Sequence, residues 1–275
     1  MRANLAQIVY RQGVIEAILL RIAEAWLLCA AIQALLWGVA QRTRNAAIVD
    51  VGWALSFTAV VALFGAQAHA PRDAYLPIGV LVVVWSTRLG SYLIDRGAIF
   101  GTEEGRYVEL RRRWALGASR KFYVFFQIQA LLTGLLSTAF VVPFLAVPTD
   151  GGVLRIIGAA LSAIGIAGEA IADAQLARWK RDPNNLGRVC DAGLWGWSRH
   201  PNYFFEWCVW VGFAVYGFAF ENGWIAVFSQ GLIFATIWKV TGIPATEDQA
   251  MRSKGEQYRA YQARVSKFVP FPPRS

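Results

Sequence analysis

Gly193-Leu194-Trp195-Gly196-Trp197-Ser198-Arg199-His200-Pro201-Asn202-Tyr203-Phe204-Phe205-Glu206 sets a dense polar cluster at the entrance of an otherwise apolar helix. Pro201 suits the first turn, where a missing N–H has no intrahelical partner to lose. Asn202 and Glu206 are four apart, so they lie one above the other on a single face, while Arg199 and His200 stand just before the helix opens. Amide, carboxylate and cation are therefore offered together. The plainer reading is an ordinary helix start whose basic residues reach for lipid head groups. Against it, Glu206 lies a full turn inside an apolar segment, where an ionisable group is costly and usually paired or functional.

The surroundings of the cluster are apolar along the whole chain. The 275 residues are 56% hydrophobic and 16% charged, with mean hydropathy +0.39, whereas a soluble domain carries about 25% charged residues. This composition predicts an all-α integral membrane protein. Stretches of the roughly 20 apolar residues that a crossing needs are read at 14–40, 46–67, 75–95, 122–147, 153–177, 203–220 and 223–243, about seven transmembrane helices. No internal repeat, low-complexity segment or long Pro/Gly/Ser-rich linker divides them, so a single domain over residues 1–275 is expected. Its cytoplasmic loops would cap a cofactor cavity between helices.

Lys and Arg collect on alternate connections: Arg42 and Arg44, then Arg96 to Lys121, Arg178 to Arg199, and the tail from Arg252 to Arg274. The intervening loops are nearly bare, with Arg72 the only basic residue between the second and third spans. The positive-inside bias then puts the long polar loops and the C-terminus in the cytoplasm and the N-terminus outside, although Arg2 and Arg11 run against it. The net charge of +9 and pI near 9.8 sit beside spans rather than on a compact basic domain, which argues for anionic lipid or a phosphate-bearing ligand and against nucleic acid. Cys29, Cys190 and Cys208 form no disulfide framework or zinc spacing. Glu16, Arg21 and Glu24 interrupt the N-terminal apolar run, which lacks the form of a signal peptide and is expected to stay as an anchor or to pack with a polar face.

Three polar elements flank the spans. Gly101–Lys121 mixes Arg106, Arg111, Arg112 and Arg113 with Glu103, Glu104 and Glu109, which suits an interfacial helix with acid–base pairs. Residues 178–200 hold Pro and Gly that argue against a long helix, together with charges able to cap a ligand. The polar segment 247–261, with Tyr258 and Tyr261 at helical spacing, is expected on the membrane surface, folded back against the loops.

Further acids fall within the spans. Glu169 and Asp173, again four apart, share a face of the fifth span and invite either an arginine or the hydroxyls and amide of a nucleotide. The Asn202/Glu206 face one span later is the natural opposite wall. Asp50 opens the second span, and Arg88 and Tyr92 share a face of the third. Asp50 either neutralises Arg88 or, in a low-dielectric cavity, stays protonated and donates to a carbonyl. No P-loop, Rossmann, metalloprotease or Gly-x-Ser-x-Gly signature occurs in a usable context, and two histidines do not make a histidine-rich metal site; no metal is expected.

The run Gly193–Glu206, the upstream Asp173, and Tyr258-Arg259-Ala260-Tyr261 followed by Phe268-Val269-Pro270 together resemble the membrane-bound steroid 5α-reductase family, most strongly over residues 165–275. The resemblance implies a bacterial inner-membrane enzyme that holds NADPH in a cavity open to the cytoplasm and takes a 3-oxo-Δ4 steroid, or a similar enone lipid, from the bilayer. It implies no obligate protein partner. Carried over by position, Asp173, Asn202 and Glu206 bind the cofactor with Tyr203. Glu169 stands where animal members tend to have asparagine. Lys180 and Arg188 supply charge to the adenosine phosphates, with Arg199 and His200 nearby. Hydride arriving at the β-carbon of an enone leaves an enolate whose oxygen needs a donor before the α-carbon is protonated. Family members use an acid of the second span, matched by Asp50, and a tyrosine of the third. Aligned on Arg88, Trp85 stands at that tyrosine position and Tyr92 is the nearest chemical substitute, so the catalytic pair implied is Asp50 and Tyr92.

The Arg-His-Pro-x-Tyr pattern followed by Glu also resembles the isoprenylcysteine carboxyl methyltransferases, membrane enzymes that use S-adenosylmethionine. Those need fewer phosphate-neutralising groups and no buried acid at Asp50. A lipid-binding or scaffold role is the non-enzymatic alternative.

Overall fold

The computed structural model of the chain describes residues 2–150, 152–240 and 242–274, with side chains from residue 13 onward except at 240. The Arg2 and Arg11 side chains, which weigh on orientation, lie outside the described residues. The long elements are all helices: α1 (Arg2–Thr43), α2 (Ile48–Ala66), α3 (Arg72–Asp95), α4 (Gly105–Trp114), α5 (Ala118–Leu136), α6 (Val153–Arg181), α7 (Pro201–Gly217), α8 (Ala226–Ala235) and α9 (Ile243–Arg264). A π-helical turn, Thr236–Val240, prolongs α8, and α9 is kinked at Gly255. The all-α expectation holds. Its cause is the solvent: lipid satisfies no backbone N–H or C=O, so apolar runs close their hydrogen bonds internally.

Among the described residues five segments are long and apolar enough to cross a bilayer: Ile48–Ala66, Arg72–Asp95, Gly105–Ala139, Val153–Arg181 and Gly223–Arg264. The chain is a membrane protein. These five contain or overlap the spans expected at 46–67, 75–95, 122–147, 153–177 and 223–243; those expected at 14–40 and 203–220 are not among them. α7 has 17 residues, short of the roughly 20 of a full crossing. In α1 the charges that interrupt the apolar run are partly settled within the helix, Arg21 donating to Glu24 at 2.6 Å.

The ends of the fourth and fifth stretches differ from the sequence reading. The fourth apolar stretch leaves its helix at Leu136 rather than near 147, and two 3₁₀ turns follow. There the Ser137 and Thr138 hydroxyls donate to the carbonyls of Gly134 and Leu135 at 2.6 and 2.8 Å, and Pro143 has no N–H to offer. α6 in turn runs to Arg181, through residues assigned to the following loop. It stops where Asp182 accepts the Asn184 N–H at 2.9 Å and Pro183 opens a 3₁₀ turn.

The chain divides into two compact units, Met1–Arg155 with Tyr216–Ser229, and Ile156–Val215 with Gln230–Ser275. In the first, α1 packs on α2 and α5, and α2 on α3. Ser86 of α3 donates to the Ala54 carbonyl of α2 at 2.6 Å, beside an edge-to-face cluster of Trp53, Phe57, Trp85 and Phe140. The second unit holds most of α6 and α7 with α9. Trp207, Phe234 and Trp238 gather there around Phe268 of the tail.

Candidate functional site

The second unit is organised by a close approach of α6 and α7. A Cβ on Gly165 would stand 2.7 Å from the Val209 nitrogen and 2.8 Å from the Phe205 oxygen, and one on Gly212 2.5 Å from the Ser162 nitrogen. Only hydrogen fits at such a seam. Ser162 also donates across it to the Val209 carbonyl at 3.2 Å. Gly168 meets Phe205, Gly165 meets Val209 and Ser162 meets Gly212, so rising numbers on α6 pair with falling numbers on α7 and the helices are antiparallel.

That register places the acids. In two antiparallel right-handed helices, the residue following each seam position turns to the same side. Glu169 follows Gly168 and Glu206 follows Phe205, so both stand on one flank, with Asp173 a turn beyond Glu169 and Asn202 a turn before Glu206. This flank is buried: Glu169, Asp173 and Glu206 are 4%, 3% and 8% exposed, while Ile164 and Ile171 on the opposite flank are open. Trp210 donates its indole N–H to Glu206 at 2.9 Å. Three carboxylates and the half-buried amide of Asn202 thus form a strip of acceptors suited to hydroxyl and N–H donors.

The loop before α7 is sewn to its own unit. Gly193, at φ 59°, has a left-handed backbone, and a Cβ there would meet the Gln175 amide. Gln175 accepts the Leu194 N–H at 2.9 Å, and the Trp195 indole donates to the Ala172 carbonyl at 2.9 Å. Tyr261 donates to the Trp195 carbonyl at 2.5 Å, Ser198 donates to the Phe268 carbonyl at 2.7 Å, and Ser198 bridges to Ser266. The expected return of the polar C-terminal helix onto this loop is therefore observed.

Arg199 and His200 turn toward that helix. The Arg199 guanidinium donates to Glu247 at 2.8 Å and to the carbonyls of Gln262 and Val265 at 2.9 and 3.1 Å, which serves the C-terminal carbonyls of α9. His200, 1% exposed, lies 3.3 Å from Glu247 and stacks on Tyr203, whose hydroxyl is 3.3 Å from that of Thr246. Burial pushes the His200 imidazole below its ordinary value of 6.5, with the Glu247 carboxylate opposing the shift. A depressed histidine stabilises the fold above its unfolded pKa and ceases to do so as pH falls through the folded one. Thermal stability is accordingly expected to drop as pH is lowered from about 6.5, and His200→Gln should flatten that limb; an equally steep limb in the variant would rule out His200 as its source.

Lys180 and Arg188 are exposed at the end of α6 and in the loop after it. Lys254 donates to the Arg188 carbonyl at 2.7 Å, which adds a third cation there.

In the first unit Asp50 opens α2. Arg106 of α4 pairs with it, where the sequence offered Arg88, and the buried Tyr107 hydroxyl donates to the carboxylate at 2.9 Å. Arg106 also lies over the Tyr107 ring. α4 is held there by Glu103, which accepts the Ala46 N–H at 2.8 Å and an Arg111 N–H at 2.7 Å. The acid–base pairing expected of this helix is present, but its pattern gave no hint that it supplies the groups at Asp50. Tyr107, an aromatic on the apolar side of a basic helix, was the available signal. Trp85 belongs to the aromatic cluster of α2 and α3, and Tyr92 receives the Arg96 guanidinium at 5.6 Å from its ring centre. All nine candidate cofactor residues lie in the second unit, and Asp50 and Tyr92 in the first. No group of three His, Cys, Asp or Glu side chains able to hold a metal ion occurs among the described residues.

A helical membrane chain with paired interior acids defines a class; the family is shown by comparison. Residues 36–265 match a family model described as "Protein of unknown function (DUF1295)", and the chain belongs to that family. It is similar to an uncharacterized protein of Schizosaccharomyces pombe, 27% identical over 268 residues that cover 86% of this chain and 75% of the yeast protein. No solved structure matches.

Proposed function

We propose that this protein is an NADPH-dependent reductase of enone lipids, of which 3-oxo-Δ4 steroids are the type. The observation that carries the reading is the strip of Glu169, Asp173, Asn202 and Glu206 on one buried flank of the α6–α7 seam. Such a strip suits a dinucleotide: carboxylates accept from ribose hydroxyls and from the carboxamide and adenine amines, and the Asn202 amide both donates and accepts. Lys180 and Arg188, with Lys254 beside them, offer charge to phosphates at the exposed end of the same unit. Arg199 and His200 act as positioning residues that hold the loop before α7, and Tyr203 steadies His200.

When bound, the dihydronicotinamide supplies the hydride that reduces the β-carbon of the enone. The protein's share is to stabilise the enolate oxygen and deliver a proton to the α-carbon. Asp50, a carboxylate where it pairs with Arg106, serves that work by orienting the donor. Its hydrogen bond from Tyr107 makes this phenol, besides Tyr92, a candidate O–H donor. Seven crossings, a cytoplasmic C-terminus and an inner-membrane location complete the reading, which rests on the charge distribution and the resemblance to the steroid 5α-reductases.

The test is direct. Detergent-purified protein should bind NADPH and oxidise it, followed at about 340 nm, when progesterone or testosterone is added, with the saturated ketone as product. Binding of S-adenosylmethionine in place of NADPH would move the protein to the methyltransferases, and binding of neither would leave it without this enzymatic function.

A further inference from the structure

A groove of about 490 Å³ opens beside the first turns of α5, lined by Trp114, Arg120, Lys121, Val124, Phe125 and Ile128. Its chemistry is divided along the helix. Lys121, Val124, Phe125 and Ile128 are spaced i, i+3, i+4 and i+7, so one stripe begins with a cation and continues as exposed or half-buried hydrocarbon. Trp114 closes the polar end, where the charged α4 gives way to the apolar α5, the level at which indoles settle in bilayers.

The two cations are conspicuous for their surroundings. On neighbouring α4, Arg106 pairs with Asp50 and Glu104, Arg111 with Glu103, and Arg112 with Glu109. Among the described residues Arg120 and Lys121 have no acidic partner, and both are exposed. They also occupy the first turn of α5, which contains no acidic residue and whose N-cap, Gly117, brings no side-chain hydrogen bond. The positive end of a 19-residue helix is an unfavourable place for two further positive charges. An anion there would be welcomed by both cations and the helix end.

We infer that this groove binds an anionic phospholipid, its phosphate against Arg120 and Lys121 and an acyl chain along Val124, Phe125 and Ile128. Charge selects the headgroup, and the stripe selects a lipid over a free phosphate. The inference does not depend on the reductase reading.

Native mass spectrometry of the full chain, released from detergent containing phosphatidylglycerol or phosphatidylcholine, tests it. Wild type should retain phosphatidylglycerol preferentially. R120Q/K121Q should lower that retention on the order of 10-fold while leaving phosphatidylcholine unchanged. Val124→Trp, which fills the groove and keeps the charges, should lower it as well, and it serves alone if the double variant does not fold. Equal retention of the two lipids by wild type, undiminished phosphatidylglycerol in the variants, or full displacement by inorganic phosphate would each overturn the proposal.

Discussion

Replacing Asp173 by Asn and Glu206 by Gln in one protein should weaken NADPH binding by on the order of 100-fold, with helical content retained. Each substitution keeps the shape of its side chain and removes the charge that makes the acceptor strong. A hydrogen bond to a charged group is worth about 1.5–3 kcal/mol, and two such losses reach this magnitude even where they do not add fully. Glu206 is a demanding case, because the Trp210 indole already donates to it and the amide oxygen of Gln can still accept that bond. Circular dichroism and thermal unfolding of the variant separate loss of the ligand's contact from a disturbed helix. Fluorescence titration of the dihydronicotinamide reads the result directly. Unchanged affinity in the double variant would remove the strip on the α6–α7 flank from the cofactor site, whatever the fate of the reductase reading.

Gly165→Val should produce the largest loss of stability of any single substitution considered. The added Cβ would stand 2.7 Å from the Val209 nitrogen and 2.8 Å from the Phe205 oxygen, both backbone atoms of a neighbouring helix that no rotamer change can move. The helices must part, and a cost at the upper end of the about 1–3 kcal/mol of overpacking is expected. Gly231→Ala is the matched control, since a Cβ there meets nothing within 4 Å, and at an open helical site it should be neutral or stabilising by up to about 1 kcal/mol. Thermal unfolding in detergent separates the two. Because Glu169 and Glu206 keep their common flank only while the seam is closed, the Gly165 variant should also lose NADPH affinity. A variant as stable as wild type would mean that α6 and α7 do not approach as described.

Much of this molecule is legible one residue at a time. Apolar runs with charges gathered between them specify helices for a bilayer, because lipid leaves the backbone no other partner. The four-residue spacings of Glu169 with Asp173 and of Asn202 with Glu206 assign each pair to one helical face. Tyr258 and Tyr261, at helical spacing in a polar segment, announce a helix that returns to the loops, and Tyr261 does hydrogen-bond the Trp195 carbonyl.

Which faces meet is a different kind of fact. Periodicity describes a helix about its own axis and carries no information on its neighbour, so the common flank of the three acids emerges only from the glycine-lined register of α6 against α7. Spacing along the chain offers Arg88 of the third span to Asp50, yet a cation at Asp50 comes from α4, 56 residues along the chain, because Glu103 and Tyr107 dock that helix at the start of α2. Arg199 reads as a phosphate ligand by its place beside an anion-suited helix start, but it reaches Glu247 and the last carbonyls of α9 instead. Local spacing dictated the helices and the residues each face displays. Partners joined across long stretches of chain depend on how those helices pack, and there close contact between backbones decides the outcome.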